Sequence, residues 1–143
     1  MLFKLKSAKV HRGFTLLELL VVLVILGMLA ALAGPRVMKY IGSSRTDTAK
    51  LQIEELMSAL DMYKLEVGRH PNTQEGLQAL VESPSGATNW NGPYLRKKTV
   101  PKDPWGADYH YESPGQHGAV DISSFGADGR EGGEGEDKDV VSW

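Results

Sequence analysis

Apolar residues fall in two different patterns along the first half of the chain. Across residues 14–33 they are nearly continuous, and Glu18 is the only charged residue. A helix of about 20 apolar residues is long enough to cross the hydrocarbon core of a bilayer. Beyond Gly34-Pro35, apolar residues recur every three or four positions, which predicts an amphipathic helix that packs one face on a globular head. The residues of that face are Ala49, Ile53, Leu56, Leu60, Tyr63 and Val67.

The two patterns together predict one helix from Phe14 to about Val67, which would exceed 50 residues. Gly68 is the predicted C-terminal stop. Pro35 removes one helical hydrogen bond and clashes with the preceding turn, so we expect a kink or local melting there. A helix of this length is unusual in a globular protein and natural in a fibre subunit.

The second half of the chain predicts a small α+β head that begins at residue 69. Thr73 is the predicted N-cap of a short helix over 74–81, with Leu77, Leu80 and Val81 facing inward. Short antiparallel strands packed against the amphipathic helix would complete an α+β fold. The remaining elements follow in order: a loop rich in Ser, Gly, Pro and Asn over 82–93, then strands near 107–112 and 119–124.

Composition excludes several classes of function. The net charge is −2, so no basic surface suited to nucleic acid is expected. Cysteine is absent, which excludes a disulfide framework, a zinc-thiolate site and a thiol nucleophile. The four histidines form no metal-binding spacing, and no nucleophile-elbow motif is present. The glycines of 126–135 are not followed by the G-K-[ST] of a phosphate-binding loop, so we predict no enzyme.

The N-terminal residues allow two interpretations. One is a secretory signal peptide cleaved at Ala31-Leu32-Ala33, which would release a soluble periplasmic domain beginning near Gly34. The other is a retained membrane helix, because a signal peptide's apolar core usually spans about 7–15 residues and carries no acid. Basic residues before the apolar segment predict that the leader stays on the cytoplasmic side. They are Lys4, Lys6, Lys9 and Arg12.

The sequence Gly13-Phe14-Thr15-Leu16-Leu17-Glu18 resembles the processing site of type IV pilins and type II secretion pseudopilins. The resemblance implies that a prepilin peptidase cuts after Gly13 and that Phe14 is then methylated. The apolar segment would serve as a membrane anchor and later as the fibre core. The resemblance also implies that Glu18 pairs with the N-terminal amine of an adjacent subunit. A carboxylate that snorkels to the membrane interface is the alternative.

The head carries motifs similar to the major pseudopilins of type II secretion systems. This resemblance implies a helical homopolymer in the periplasm that helps to export folded proteins across the outer membrane. The implied partners are minor pseudopilins and an inner-membrane assembly platform with its ATPase. A type IV pilin is the alternative within the superfamily, and the missing cysteines argue against it. The motifs are Asp61-Met62-Tyr63-Lys64-Leu65, Thr73-Gln74-Glu75-Gly76-Leu77-Gln78-Ala79-Leu80, Asp103-Pro104-Trp105-Gly106, Ser113-Pro114-Gly115-Gln116-His117-Gly118 and Phe125-Gly126-Ala127-Asp128-Gly129.

The same resemblance implies charged pairs between neighbouring subunits at Asp61 and Arg96. Two solvated surface charges are the alternative, since exposed pairs contribute little. The expected organisation is a single-pass inner-membrane protein with a periplasmic head. Its segments are a cleaved leader over 1–13, a transmembrane and fibre-core helix over 14–34, an amphipathic helix over 35–68, and a head over 69–143.

An acidic, glycine-rich loop lies close to the C-terminus, over residues 128–139. Carboxylates and carbonyls are the ligands of Ca²⁺, and glycines let a short loop bend round an ion. Composition alone favours a solvated, disordered acidic tail. A soluble secreted calcium-binding domain is the alternative function from another class. The family resemblance implies one Ca²⁺ in a loop over 125–143. Its implied ligands are the Phe125 carbonyl, Asp128, and an acidic pair that is here Asp137 and Asp139, separated by Lys138.

Overall fold

The computed structural model describes residues 13–143, so the four basic leader residues lie outside the described part. The chain separates into two compact units, of which the first ends at Met38 and the second is Lys39–Trp143. The elements are helix α1 (Leu16–Val67), a 3₁₀ turn (Leu77–Leu80), strands β1 (His110–Glu112) and β2 (Asp121–Ser124), a second 3₁₀ turn (Gly135–Asp137) and strand β3 (Val140–Val141).

The N-terminal part of α1 exposes its apolar side chains. An 18-residue window of α1 has a mean hydropathy of 2.8 and none of it is buried, which meets the length and composition of a membrane span. The helix is continuous through Pro35, so the local melting expected there is wrong. Proline removes only one backbone donor, and leucine, alanine, methionine and lysine nearby favour the helix on both sides.

The predicted apolar face of α1 forms the core of the second unit. Leu56, Leu60 and Tyr63 are completely buried, and Ala49 and Ile53 are buried with them. Val67 is partly buried at the edge of this core. The helix ends where the sequence predicts, because Gly68 has a φ of 88° and its N–H donates to the Lys64 carbonyl at 2.8 Å.

Three short antiparallel strands cover this face of the helix in the order β1-β2-β3. Tyr111 pairs with Ile122, and Ser124 pairs with Val140. Both predicted strands exist, but they are shorter than expected. Strand β3 was not predicted, since two residues are too few to show an alternating pattern. Its Val140 is buried in the same core cluster as Ile122, so β3 contributes to the core.

The α-helix predicted over 74–81 is wrong, and the structure has a 3₁₀ turn over Leu77–Leu80 instead. Gly76 precedes it with a φ of 60°, which an α-helix does not accommodate. Leu77 and Leu80 are buried as predicted, while Val81 is only half-buried. The turn therefore contributes the expected apolar contacts without the expected helix.

Thr73 is not the predicted N-cap. Its hydroxyl donates to the Ser113 carbonyl at 3.1 Å and accepts the Ser113 N–H at 2.9 Å, so it ties this turn to the end of β1. The reciprocal bonds of a capping box lie one residue earlier, between Asn72 and Glu75. Arg69 also holds Glu75 through two bonds of 2.6 Å.

Candidate functional site

The predicted processing position lies in an exposed segment before α1. Gly13 and Phe14 are outside the helix, and Phe14 is 84% exposed. Among residues 13–143, no atom lies within 4 Å of the position that a Cβ at Gly13 would occupy. This part of the chain therefore leaves the peptide bond between Gly13 and Phe14 uncovered.

Glu18 caps its own helix. One carboxylate oxygen of Glu18 accepts the Thr15 N–H at 2.9 Å and the Thr15 hydroxyl at 3.1 Å, and the Thr15 hydroxyl accepts the Glu18 N–H at 3.2 Å. This is a capping box, and its Thr-x-x-Glu signature is visible in the sequence. The sequence reasoning missed Thr15 because it sought a partner for Glu18 only in other subunits.

Asp61 and Arg96 are both exposed on the second unit, as predicted. They form no ion pair with each other among residues 13–143. Asp61 instead lies 3.8 Å from His70 Nε2, and Arg96 borders a cavity of about 300 Å³ together with Glu55. Both charges remain available to a neighbouring molecule.

Buried Asp103 connects the Asp-Pro-Trp-Gly turn to the sheet. Its Oδ1 accepts the N–H groups of Trp105 and Ala107 at 3.1 and 2.8 Å. Its Oδ2 accepts the hydroxyl of Ser124 at 2.6 Å, and Ser124 is completely buried at the end of β2. The Ser124 hydroxyl in turn accepts the N–H of Gly126, two residues before the acidic loop begins. Asp103 thus fixes the start of the acidic loop, a role that the turn motif alone did not reveal.

The Ser-Pro-Gly-Gln-His-Gly loop closes over the carboxylate of Asp121. Asp121 Oδ2 accepts the N–H groups of Gln116 and His117 at 2.8 and 3.0 Å and lies 2.9 Å from His117 Nδ1. A Cβ at Gly115 would lie 2.6 Å from Asp121 Oδ1, so the loop requires glycine there. Burial alone would raise the pKa of Asp121, but the N–H donors and the His117 ring hold that pKa below its usual range.

Asp121 is buried by this loop although it lies next to buried Ile122 on β2, where an alternating strand would expose one of the two. The loop motif lies shortly before β2 in the sequence, but no local pattern shows that the loop folds back over Asp121. The ring of His117 also stacks on Trp143, with centroids 3.9 Å apart, so this loop contacts the C-terminal residue.

The predicted calcium ligands all lie in or beside the acidic loop. Asp139 Oδ2 accepts the N–H of Gly132 at 2.9 Å, whereas Asp139 Oδ1 is buried without a hydrogen-bond partner among the described residues. Asp128 is exposed and accepts the N–H of Arg130 at 3.1 Å. The side chain of Asp137 is exposed. Over residues 13–143, no three acidic or histidine side chains are gathered closely enough to bind one metal ion.

The chemistry of the loop nonetheless fits a cation. A buried carboxylate oxygen without a donor is costly, and a cation would satisfy it. The backbone is also tightly folded here, because a Cβ at Gly133 would lie 2.5 Å from the Asp137 carbonyl oxygen. Gly133 has a φ of 89°, a conformation that glycine adopts readily. Asp139 therefore fits the ion best, with Asp128 and Asp137 in the same loop.

Comparison with known proteins agrees with this architecture. Residues 8–34 match the prokaryotic N-terminal methylation motif, and residues 36–143 match the family described as type II secretion system protein G. The type II secretion system core protein G of Pseudomonas aeruginosa is 49% identical over 135 residues, covering 92% of this chain and 94% of that protein. Its namesake in Vibrio cholerae is 44% identical over 142 residues, covering 97% of this chain and 96% of that protein.

A solved structure shows the same fold. The crystal structure of the major pseudopilin from the type 2 secretion system of enterohaemorrhagic Escherichia coli superposes with a TM-score of 0.64 at 35% identity. The match covers 76% of this chain and 95% of that one. An apolar N-terminal helix with a methylation motif and a small α+β head define a pilin-like protein. Within that class, this chain belongs to the type II secretion system protein G family, the major pseudopilins.

The depressed pKa of Asp121 predicts a loss of stability in acid. The folded-state pKa lies below the unfolded value of about 3.9, so the contribution of Asp121 is present above that value and is lost as pH falls through the folded pKa. We expect Asp121→Asn to lower the free energy of unfolding at pH 7 and to flatten its fall in acid. Denaturant titrations between pH 2 and 7 measure both effects.

Asp47→Asn, at an exposed position on α1, is the control for this experiment. Equal pH dependence in the Asp121 variant and the wild type would contradict the assignment.

Proposed function

We propose that a prepilin peptidase cuts this chain after Gly13 and methylates Phe14. The mature subunits then polymerise through α1 into a helical fibre in the periplasm, which helps to export folded proteins across the outer membrane. The observation that carries this proposal is the fully exposed apolar part of α1 in a chain of the protein G family. Exposed apolar side chains over such a length must be covered by lipid before assembly and by other helices after assembly.

The proposed role is structural and not catalytic. The subunit would work with minor pseudopilins, the prepilin peptidase, and an inner-membrane assembly platform whose ATPase supplies the energy. Membership of the protein G family supports assembly with other components of the secretion system. Before assembly, the chain would be a single-pass inner-membrane protein with its head in the periplasm.

Glu18 would set the register between subunits. Cleavage after Gly13 creates an α-amine on Phe14, four residues before Glu18 in the sequence. In the apolar interior of a helix bundle, a carboxylate and an ammonium group each need an opposite charge. The Glu18 of one subunit would therefore pair with the Phe14 amine of the next, while Thr15 continues to donate to the same carboxylate.

The first test is the mature N-terminus, read by mass spectrometry from cells that contain the peptidase. We expect a chain that begins at methylated Phe14. Glu18→Ala should be processed in the same way but lose fibre formation, because the amine of its neighbour then has no counter-charge. A mature chain that begins near Gly34 would contradict the proposal, and so would normal fibres from the Glu18 variant.

We also propose that Asp61 of one subunit pairs with Arg96 of another. Both side chains are exposed, and neither is satisfied by the other within a single chain. A single exposed pair is worth up to about 1 kcal/mol. Because the pair would repeat at every such contact along the polymer, its summed contribution would favour assembly.

A charge swap tests this pair. Asp61→Arg and Arg96→Asp should each reduce fibre yield, since each places like charges opposite one another, and the double variant should recover it. Sheared-fibre yield at equal expression is the measurement, with Lys97→Asp as the control for a charge change beside Arg96. Failure of the double variant to recover would contradict the pairing.

We further propose that the C-terminal loop binds one Ca²⁺ through the Phe125 carbonyl, Asp128, Asp137 and Asp139. The buried, unpartnered Oδ1 of Asp139 supports this assignment. The ion would neutralise the clustered carboxylates and tie the glycine-rich loop to β3, in a chain that has no cysteine for a disulfide.

Thermal unfolding in Ca²⁺ and in chelator tests the site. At a free Ca²⁺ concentration 100 times Kd, binding to the folded state alone adds about 2.7 kcal/mol of stability, which should raise Tm. Asp139→Asn keeps the side-chain volume and should abolish most of that rise, whereas Glu134→Gln in the same loop should preserve it. An unchanged Tm for the wild type at saturating Ca²⁺ would contradict the proposal.

A further inference from the structure

We propose that Glu136 positions the C-terminal loop by docking against α1 at Gly42, and that this contact holds Asp137 and Asp139 in place for the cation. The inference rests on the calcium site proposed above. It adds Glu136, which would bind no ion itself, and Gly42, a position on α1 that the family resemblance did not single out. All the residues involved lie in the unit Lys39–Trp143.

Gly42 is a point of close approach between the loop and the helix. It is buried, while its neighbours Ile41 and Ser43 are exposed. A Cβ at position 42 would lie 2.5 Å from both Cγ and Oε1 of Glu136, closer than real Cβ contacts. The side chain of Glu136 therefore occupies the space that any other residue at position 42 would fill.

The position of Gly42 follows from the helical repeat. It lies seven residues before Ala49, so it extends the buried face of α1 by two turns. The other buried positions of that face contact the head through apolar side chains. At Gly42 the helix contributes only backbone, and the loop contributes the side chain.

The carboxylate of Glu136 also faces two other parts of the unit. Its Oε2 lies 3.4 Å from Nη1 of Arg45, one turn along α1, and 3.5 Å from the indole nitrogen of Trp105. Trp105 belongs to the turn that Asp103 ties to β2 and to the start of the acidic loop. Glu136 thus connects the helix, this turn and the loop at one point.

The main chain of Glu136 closes the loop on itself. Its carbonyl accepts the N–H of Ala127 at 2.9 Å, and a Cβ at Gly126 would lie 2.6 Å from the same oxygen. The residue therefore fastens the beginning of the loop, beside Phe125 and Asp128, to its end. Because Asp137 follows directly in the chain, a shift of the Glu136 main chain would also shift that ligand.

The ion pair alone contributes little to this contact. The side chains of Arg45 and Glu136 are 47% and 36% exposed, and exposed pairs contribute little. A methyl group at position 42, in contrast, must push the Glu136 side chain away from both Arg45 and Trp105. The decisive substitution is therefore Gly42→Ala, which should also stabilise an isolated helix, since alanine favours helices more than glycine does.

The experiment uses the full chain in detergent micelles. The variants are Gly42→Ala, Glu136→Ala and the double variant, with Gly34→Ala and Glu134→Ala as matched controls. Gly34 is a suitable control because, in the part of the chain that the structure describes, nothing lies within 4 Å of a Cβ there. Two readouts are needed: hydrogen exchange of the Ala127 and Gly132 amides without Ca²⁺, and the Kd for Ca²⁺ by calorimetry.

We expect faster amide exchange and a roughly tenfold higher Kd in each single variant, as is typical when a residue that supports metal ligands is lost. The double variant should be no worse than Glu136→Ala, because the methyl group added at position 42 then has no long side chain to displace. The proposal is overturned if Gly42→Ala behaves like Gly34→Ala, or if the two effects simply add. If the wild type binds no Ca²⁺, the calcium proposal fails by itself, and the exchange data alone decide whether Glu136 positions the loop.

Discussion

The packing of one face of α1 against the head is the interaction on which the rest of the structure depends. Leu56, Leu60 and Tyr63 lose all contact with water on that face. Burying a large apolar side chain contributes about 1.5–3 kcal/mol. The sheet is too short to be stable alone, since isolated short strands are marginal in water. The strands, the turns and the acidic loop are all built on the surface that the helix provides.

The same helix serves two surroundings because its apolar pattern changes along its length. Residues 14–33 are apolar on every side, which suits lipid or a bundle of helices. Beyond Pro35 the apolar residues narrow to one face, which suits a head on one side and water on the other. A continuous helix through Pro35 means that one element carries both surfaces without an intervening loop.

The sequence predicted well those features of the fold that depend on local motifs or on regular spacing. The buried face of α1, its end at Gly68 and the two longer strands follow from spacing and turn residues. The contacts that the sequence did not predict join residues far apart in the chain. Thr73 bonds to Ser113 instead of capping a helix, and Val140 completes a sheet that only the fold reveals. Tertiary packing determines which residues these side chains contact. The pattern of neighbouring residues in the sequence does not show it.

The candidate functional residues also divide into those that a local motif reveals and those that only the tertiary structure reveals. Gly13, Phe14 and Glu18 belong to one continuous motif, so they could be named from the sequence. In the acidic loop, the family resemblance implied a cation while composition alone favoured a solvated tail. Among the described residues, only the folded backbone shows that Asp139 is the acid of this loop with a buried, unpartnered oxygen. Glu136 looked like any other acid of the loop, and its contact with Gly42 needed the structure.

The capping box at the start of α1 would fix the Glu18 side chain in a subunit that is still in the membrane. Thr15 supplies two donors to Glu18 within one chain, so the carboxylate is hydrogen-bonded before any neighbour arrives. Because Thr15 and Glu18 both lie beyond the Gly13–Phe14 bond, cleavage there leaves this arrangement intact. On the proposed function, a single subunit in the bilayer would therefore hold its Glu18 carboxylate hydrogen-bonded in a fixed position, and a neighbour would have to supply only the opposite charge.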